Sequence, residues 1–484
     1  MNYRMIGRVM AQILGLEGVF LIPALLICLF DGDTHAALAF LVTIGAIAVT
    51  AGGMYLVCRK TKRGFYAREG LVCVGLSWIV LSLFGCLPFY LSREIPHFVD
   101  ALFEIVSGFT TTGASILSDV ESLPRGILYW RSFSHWLGGM GVLVFLLAVS
   151  TLGGRNSGFT MHILRAESPG PNVAKLVPRM KKTALILYVL YIALTILNIF
   201  FLLIGKMPLF DAVCTAFGTA GTGGFGIKND SMGGYSPYLQ NVCTVFMFLF
   251  GINFSCYYLL LLGDIKNVFR DEELRAYVGI ALGSVVLIVL NLRGFYGSME
   301  ETIRHAAFQV SSIMTTTGFA TTDFDLWPSF SKAILLCLMI IGASAGSTGG
   351  GMKVGRMLLL LKGLRRNIGQ VMHPQKVQVI RSNGQTVDKK VLANANGYLA
   401  AYVVIVVISF VIISIDGFST TTNFSAVMAC FNNIGPGLEA VGPTCNFSGY
   451  SVLSKLVLIL DMLAGRLEIF PILILGSIRT WRGR

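Results

Sequence analysis

Long apolar runs alternate along this chain with short polar and glycine-rich segments. A helix needs about 20 predominantly apolar residues to cross the hydrocarbon of a bilayer. Runs of that kind lie near 11–30, 36–58, 71–91, 129–152, 183–204, 239–262, 276–296, 331–361, 396–416 and 452–478. The pattern predicts ten spans. Four shorter apolar stretches, at 99–107, 209–218, 302–314 and 424–431, are too short to cross. Each stands just before a glycine motif. The repeating unit is therefore helix, half-helix, glycine loop, helix, four times over, after two additional N-terminal helices. The division expected is 1–70 for those two helices, then repeats at 71–155, 156–265 and 266–365, the third with a broken second helix. A linker at 366–395 and a fourth repeat at 396–484 complete the chain.

The glycine motifs are Phe109-Thr110-Thr111-Thr112-Gly113, Thr219-Ala220-Gly221-Thr222-Gly223-Gly224-Phe225, Met314-Thr315-Thr316-Thr317-Gly318-Phe319 and Asn432-Asn433-Ile434-Gly435-Pro436-Gly437. Their central glycines are Gly113, Gly223, Gly318 and Gly435. Glycine adopts backbone angles that aim successive carbonyls one way, at little steric cost. Four such loops around one axis make a ring of carbonyls that can replace the hydration shell of a cation. Thr112, Thr222, Thr317 and Ile434 stand just before these glycines, and the threonine hydroxyls are candidate extra ligands. A re-entrant half-helix aims its C-terminal end, about −0.5 of a charge, at the bilayer centre. Irregular backbone at that depth persists only inside protein or along an aqueous path.

Composition agrees with a membrane protein. Hydrophobic residues make up 54% of the chain and charged residues 13%, against about 25% charged in soluble domains. The net charge of +13 would suggest nucleic acid in a soluble protein. Here it follows from basic loops on one side of the membrane. Those loops hold Arg4 and Arg8; Arg59, Lys60, Lys62, Arg63 and Arg68; Arg155 to Lys182; Lys362 to Lys390; and Arg479, Arg482 and Arg484. Both termini are then expected in the cytoplasm, with no nucleic-acid partner. Asp100, Glu104, Asp119, Glu121, Asp211, Asp230, Glu300, Glu301, Asp323, Asp325 and Asp416 fall on the opposite side with the glycine loops. An acidic mouth there would concentrate cations, and ordinary solvated charge is the plainer reading. The ten cysteines and six histidines lack metal-ligand spacing, so no transition-metal site is expected. Most cysteines read as small buried hydrophobes, and a Cys430–Cys445 disulfide is a weak candidate.

On these motifs, with Trp136-Leu137-Gly138-Gly139-Met140-Gly141, the stretch 342–353 and Gly465-Arg466-Leu467-Glu468-Ile469, the chain resembles the TrkH/TrkG/KtrB superfamily of potassium-translocating subunits, nearest its TrkH branch. The likeness covers nearly the whole sequence. It implies an all-α polytopic fold with four helix–pore-loop–helix repeats in pseudo-fourfold order. It implies potassium uptake across a bacterial inner membrane by gated, channel-like conduction, with K⁺ as the transported ion and no organic cofactor. It also implies a homodimer surrounded by lipid, with a cytosolic nucleotide-binding RCK-type subunit (TrkA-like). Thr111, Thr112, Gly113, Thr222, Gly223, Thr317, Gly318, Ile434 and Gly435 become the expected filter. Related plant transporters that favour sodium carry serine at the first filter glycine, so Gly113 points to potassium. One glycine per loop implies few stacked carbonyl layers and modest discrimination. A proton- or sodium-coupled symporter on the same scaffold is the alternative.

Gly342–Lys353 interrupts an apolar run. Five glycines in ten residues do not suit a straight helix, because each costs roughly 1 kcal/mol against alanine. The segment reads as a broken helix whose loop lies under the filter. Gly346, Gly349, Gly350, Gly351, Lys353 and Arg466 are the gate candidates. Close packing of small residues is the bland alternative. Gly342-Ala343-Ser344-Ala345-Gly346 also fits a nucleophile elbow, a remote intramembrane serine hydrolase with His135 as base, but that motif needs a preceding strand. A phosphate-binding loop would need lysine where Met352 stands. Arg466 lies inside the last apolar run, where a charge is functional by default. A structural pair with Asp461 or Glu468 is the alternative. In the resembling family the corresponding arginine projects into the conduction path and braces the loop. Lys353 is expected nearer the cytoplasmic face, beside Arg356.

Overall fold

The computed structural model describes residues 1–59, 67–139, 141, 180–375 and 378–481. Several sequence expectations lie outside them: most of the end of the fourth span (140–152), the basic residues Arg155 to Arg179, and Lys60, Lys62, Arg63, Lys376, Arg482 and Arg484. The described chain is helical apart from one two-stranded hairpin, Arg381–Ser382 with Gln385–Thr386.

Helix starts follow local chemistry. Asp33 accepts from the Ala36 amide at 3.0 Å and opens Thr34–Val57. Ser298 and Ser451 cap Met299–Met314 and Val452–Arg466 in the same way, each satisfying an amide that has no intrahelical partner. Gly32, left-handed at φ 77°, ends Tyr3–Asp31 and turns the chain back, so the first two helices form an antiparallel hairpin. Tyr3 donates to the Trp481 carbonyl at 3.1 Å, and Arg68 donates to that of Thr480. The two ends of the chain therefore meet on one side of the bundle.

Among the described residues, six helices are long and apolar enough to cross a membrane: Tyr3–Asp31, Thr34–Val57, Arg68–Leu91, Ile186–Ile204, Glu272–Asn291 and Lys389–Asp416. The expected sixth span is not straight. Pro237–Phe250 and Phe254–Leu261 meet at 87°, because Asn253 leaves the helix and caps a new one through the Ser255 amide. The eighth run divides into Ser329–Ile341 and Val354–Met372 around the glycine segment. The tenth also breaks, between Val452–Arg466 and Phe470–Gly476, where Glu468 and Ile469 take φ of 54° and 69°. A β-branched residue at positive φ is a strained conformation. No run of polar residues announces either extra break, so hydropathy passes over both.

The four half-helices are Phe98–Phe109, Leu209–Gly221, Met299–Met314 and Thr420–Phe431. Their C-terminal turns are buried on all sides. Phe103, Phe109, Phe308 and Phe431 on these helices, and Phe225 and Phe319 just beyond them, are buried.

Candidate functional site

All four half-helices end alike. An amide just past each helix bonds five residues back: Thr112 to Ser107, Gly223 to Gly218, Thr317 to Ser312 and Ile434 to Ala429, each at 2.8 Å. The residue before it, Thr111, Thr222, Thr316 or Asn433, is left-handed with φ between 54 and 59°. This is the Schellman ending, which glycine usually fills and asparagine sometimes does. Threonine there stores about 1–3 kcal/mol of strain. Next comes a second left-handed residue, always glycine: Gly113, Gly224, Gly318 and Gly435, at φ 82, 76, 86 and 100°.

The hydrogen bonds therefore shift the second loop by one residue. The motif pattern sets Gly223 beside Gly113. The backbone puts Gly224 there, with Gly223 matching Thr112, Thr317 and Ile434. Two adjacent glycines leave the register open to inspection of side chains alone. Thr222 consequently matches Thr111 and Thr316.

The loops close on one another in cyclic order. A Cβ on Gly113 would lie 2.1 Å from the Gly223 oxygen, and one on Gly224 would lie 2.0 Å from that of Thr317. One on Gly318 would meet Ile434 O at 2.1 Å, and one on Gly435 would meet Thr112 O at 2.8 Å. Each glycine thus lies against the carbonyl of the next loop, from first to second, third, fourth and back to first. Only a residue without a side chain allows this approach. The hydroxyls of Thr112 and Thr317 turn aside to Thr110 (2.7 Å) and Thr315 (2.8 Å). Backbone carbonyls are the oxygens that all four loops share.

Two buried groups tie the first loop to the second; sequence reading passed over Arg131 and took His135 only as a remote candidate base. Arg131 donates to Glu104 at 2.6 Å and to the Gly226 carbonyl at 2.8 Å, and stacks 3.6 Å from the Phe225 ring. Glu104 also accepts from Ser115 and the Ile116 amide. Glu104 is wholly buried, so it contributes nothing to an acidic mouth, and Asp100 is likewise engaged, by Lys455 at 2.6 Å. Arg131→Ala leaves the Glu104 charge uncompensated and should cost about 3–5 kcal/mol. A lowered melting temperature of the detergent-solubilised protein checks this; an unchanged one counts against the brace. His135 links the same loops. Its Nδ1 lies 2.8 Å from Gly108 O, and its Nε2 accepts from the Phe225 amide at 3.2 Å.

The glycine segment lies directly beneath the ring. The Gly350 amide donates to Thr316 Oγ1 at 2.6 Å. A Cβ on Gly349 would lie 2.7 Å from Thr315 O, and one on Gly350 would lie 2.5 Å from Asn432 O. Gly346 packs on Asn253 at the bend of the sixth span, and Gly351 packs on Gly342. Lys353 turns back so that its ammonium reaches the Gly349 carbonyl, rather than leaving with Arg356. Arg466 holds the segment from the opposite side, donating to Thr348 O and to Gly138 O, each at 2.7 Å. Glu468 pairs with Arg356 at 2.7 Å, and Asp461 accepts from Ser409 at 2.7 Å. Ser344 Oγ has no hydrogen-bond partner among the described residues, and the His135 nitrogens are engaged with Gly108 and Phe225. Among the described residues, no base lies within hydrogen-bond reach of Ser344 Oγ. Cys445 is exposed while Cys430 is buried and free, so the two do not form a disulfide.

Residues 38–480 match the TrkH family model, described as a cation transport protein. The Trk system potassium uptake protein TrkH of Salmonella typhimurium is 36% identical over the full length of both chains. Its namesake from Vibrio parahaemolyticus is 37% identical, also over both full lengths. The Trk system potassium uptake protein TrkG of Escherichia coli is 32% identical over 99% of each chain. Among solved structures, the potassium transporter TrkH from Vibrio parahaemolyticus superimposes with a TM-score of 0.89, at 33% identity and complete coverage of both chains.

Proposed function

This chain belongs to the TrkH family of cation transport proteins, and from that premise we propose that it takes up potassium by gated passage through the ring of four glycine loops. It is a multi-pass membrane transporter and not an enzyme. The observation that carries the proposal is the cyclic closure of Gly113, Gly224, Gly318 and Gly435 on the carbonyls of Gly223, Thr317, Ile434 and Thr112. Four helix C-termini converge on that ring, and their partial negative charges suit a monovalent cation. The carbonyls of Thr111, Thr112 and Gly113 and their counterparts are the potassium ligands. The glycine segment and Arg466 form the gate. Gly113 keeps the family's potassium-favouring residue, so rubidium should pass nearly as well as potassium, and sodium less well. Both termini are cytoplasmic, where basic loops meet an RCK-type subunit of the TrkA kind, and the subunit pairs as a homodimer in the bacterial inner membrane.

Conduction in this reading is driven by the electrochemical gradient alone. A potential of 100 mV contributes about 2.3 kcal/mol per charge. Rubidium flux in proteoliposomes should therefore reverse when the imposed gradient is reversed and persist when a protonophore collapses any pH difference. A strict proton or sodium requirement would overturn it. One observation favours the symport alternative: Asp461 is buried, and its second oxygen has no partner among the described residues. Asp461→Asn separates the two. Coupled transport would lose its ion dependence, whereas channel-like flux would keep its direction and driving force.

A further inference from the structure

Glu273 lies in the first turn of Glu272–Asn291 and is buried. Its Oε1 accepts from the Ala345 amide at 2.6 Å and from the Gly355 amide at 2.9 Å. Those amides stand on either side of the residues that lie under the ring, Thr348 to Gly350. One carboxylate oxygen therefore fastens both ends of the glycine segment to a helix outside it. Arg466 fastens the middle.

The position of Glu273 is itself fixed from the surface. Asp271 caps the helix, with Oδ1 accepting from the Leu274 amide at 2.8 Å. Its other oxygen accepts from Asn383 Nδ2 at 2.7 Å, and the Glu272 amide donates to Asn383 Oδ1 at 2.9 Å. Asn383 and Gly384, at φ 48° and 75°, form the exposed turn of the hairpin Arg381–Ser382 with Gln385–Thr386. Left-handed angles at both central residues define the type I′ turn, which Asn-Gly favours. Lys362, on the helix that follows the glycine segment, reaches both Glu272 and the Arg381 carbonyl. The hairpin therefore touches the supports of the segment on both flanks.

We propose that Glu273 is a positioning residue that holds the glycine segment under the ring, and that the Asn383-Gly384 turn is the surface handle that sets where Glu273 stands. The proposal rests on the reading of that segment as the gate. A soluble ligand or subunit that displaces the turn moves Asp271, Glu272 and Glu273 together and loosens both ends of the segment at once. Coupling of this kind is established by measured interaction between sites, not by adjacency.

The test is rubidium flux from the purified full-length chain in proteoliposomes. The variants are Glu273→Ala, Glu273→Gln, Asn383→Gly, the double variant of Glu273→Ala with Asn383→Gly, and Arg466→Ala as the reference for an opened gate. Loss of two buried acceptor contacts should raise flux roughly fivefold in Glu273→Ala. Glu273→Gln retains an acceptor oxygen and should change flux less than about twofold. Asn383→Gly keeps the turn and removes its amide; it should raise flux, but add nothing in the Glu273→Ala background, as contacts acting through one another do. The rubidium-to-sodium flux ratio should not move, whereas general loosening of the fold would lower it. If Arg466→Ala raises flux and Glu273→Ala does not, the role of Glu273 is refuted and the gate reading stands. If neither does, the gate reading itself falls. Multiplicative effects of Glu273→Ala and Asn383→Gly would refute the hairpin route. Should Glu273→Ala fail to fold, the exposed Asn383→Gly change decides by its direction: raised flux supports the proposal, and unchanged flux overturns it.

Discussion

Gly224→Ala should lower rubidium flux at least tenfold, and no second-site change at His135 should restore it. The alanine methyl would lie 2.0 Å from the Thr317 carbonyl oxygen, a backbone atom of the neighbouring loop. Left-handed φ adds about 1–2 kcal/mol for a residue with a Cβ, and overpacking adds about 1–3 kcal/mol. Relief requires the third loop to withdraw from the ring, and that moves a carbonyl proposed as a ligand. Gly223→Ala presents a different case. Its methyl would strike the His135 ring at 2.2 Å, a side chain that can be shortened. Combining it with His135→Ala should recover part of the flux. The pair of experiments separates the two glycines and tests the register. Recovery of Gly224→Ala by His135→Ala, or equal loss without rescue in both, would overturn the assignment of Gly224 to the position of Gly113.

The repeat of helix, half-helix and loop was legible because each half-helix combines a short apolar face with a glycine just beyond its end, and both signals are local. The register of the second loop was not. Gly223 and Gly224 are identical as residues, and what distinguishes them is the bond from Gly223 N to Gly218 O with the left-handed Thr222 before it. The break at 342–353 could be read from its glycines, whereas the 87° bend at 251–253 and the break at 467–469 carry no comparable cluster of helix-breaking residues. At the first, an asparagine caps a new helix; at the second, Glu468 and Ile469 take positive φ as the Ile469 amide bonds back to Ala464 O. Glu104 illustrates the limit of charge patterning. Its place among external acids suggested solvent, but a partner far along the chain, Arg131, draws it inside. Nothing within a few residues of Glu104 signals that pairing. Glu273 escaped for the same reason, since its two partners are backbone amides 72 and 82 residues further along the chain.

Arg466→Ala should raise rubidium flux through the isolated subunit at least tenfold, the largest increase expected of any single change. Two effects act together. A guanidinium beside the path repels a passing cation by about 2–4 kcal/mol at separations of roughly 4–8 Å, at an effective dielectric constant near 20. Each 1.4 kcal/mol corresponds to a factor of ten, so even a partly screened charge suffices. The second effect is mechanical. The guanidinium fork bridges Thr348 O in the glycine segment and Gly138 O at the end of the first repeat's helix, and alanine releases both. Arg466→Lys distinguishes them. Lysine keeps the charge but cannot reproduce the fork. If repulsion dominates, the lysine variant should conduct little more than the parent; if bracing dominates, it should approach the alanine variant. Unchanged or reduced flux in Arg466→Ala, with a melting temperature equal to the parent's, would remove Arg466 from the gate and leave it a packing residue. Because Gly465 lies against the Phe431 carbonyl, the helix bearing Arg466 cannot rotate freely. If Arg466 is part of the gate, opening requires its guanidinium to change rotamer or the loop to leave the guanidinium. The second route is the one that Glu273 restrains, so Arg466→Ala and Glu273→Ala should combine to less than the product of their separate effects.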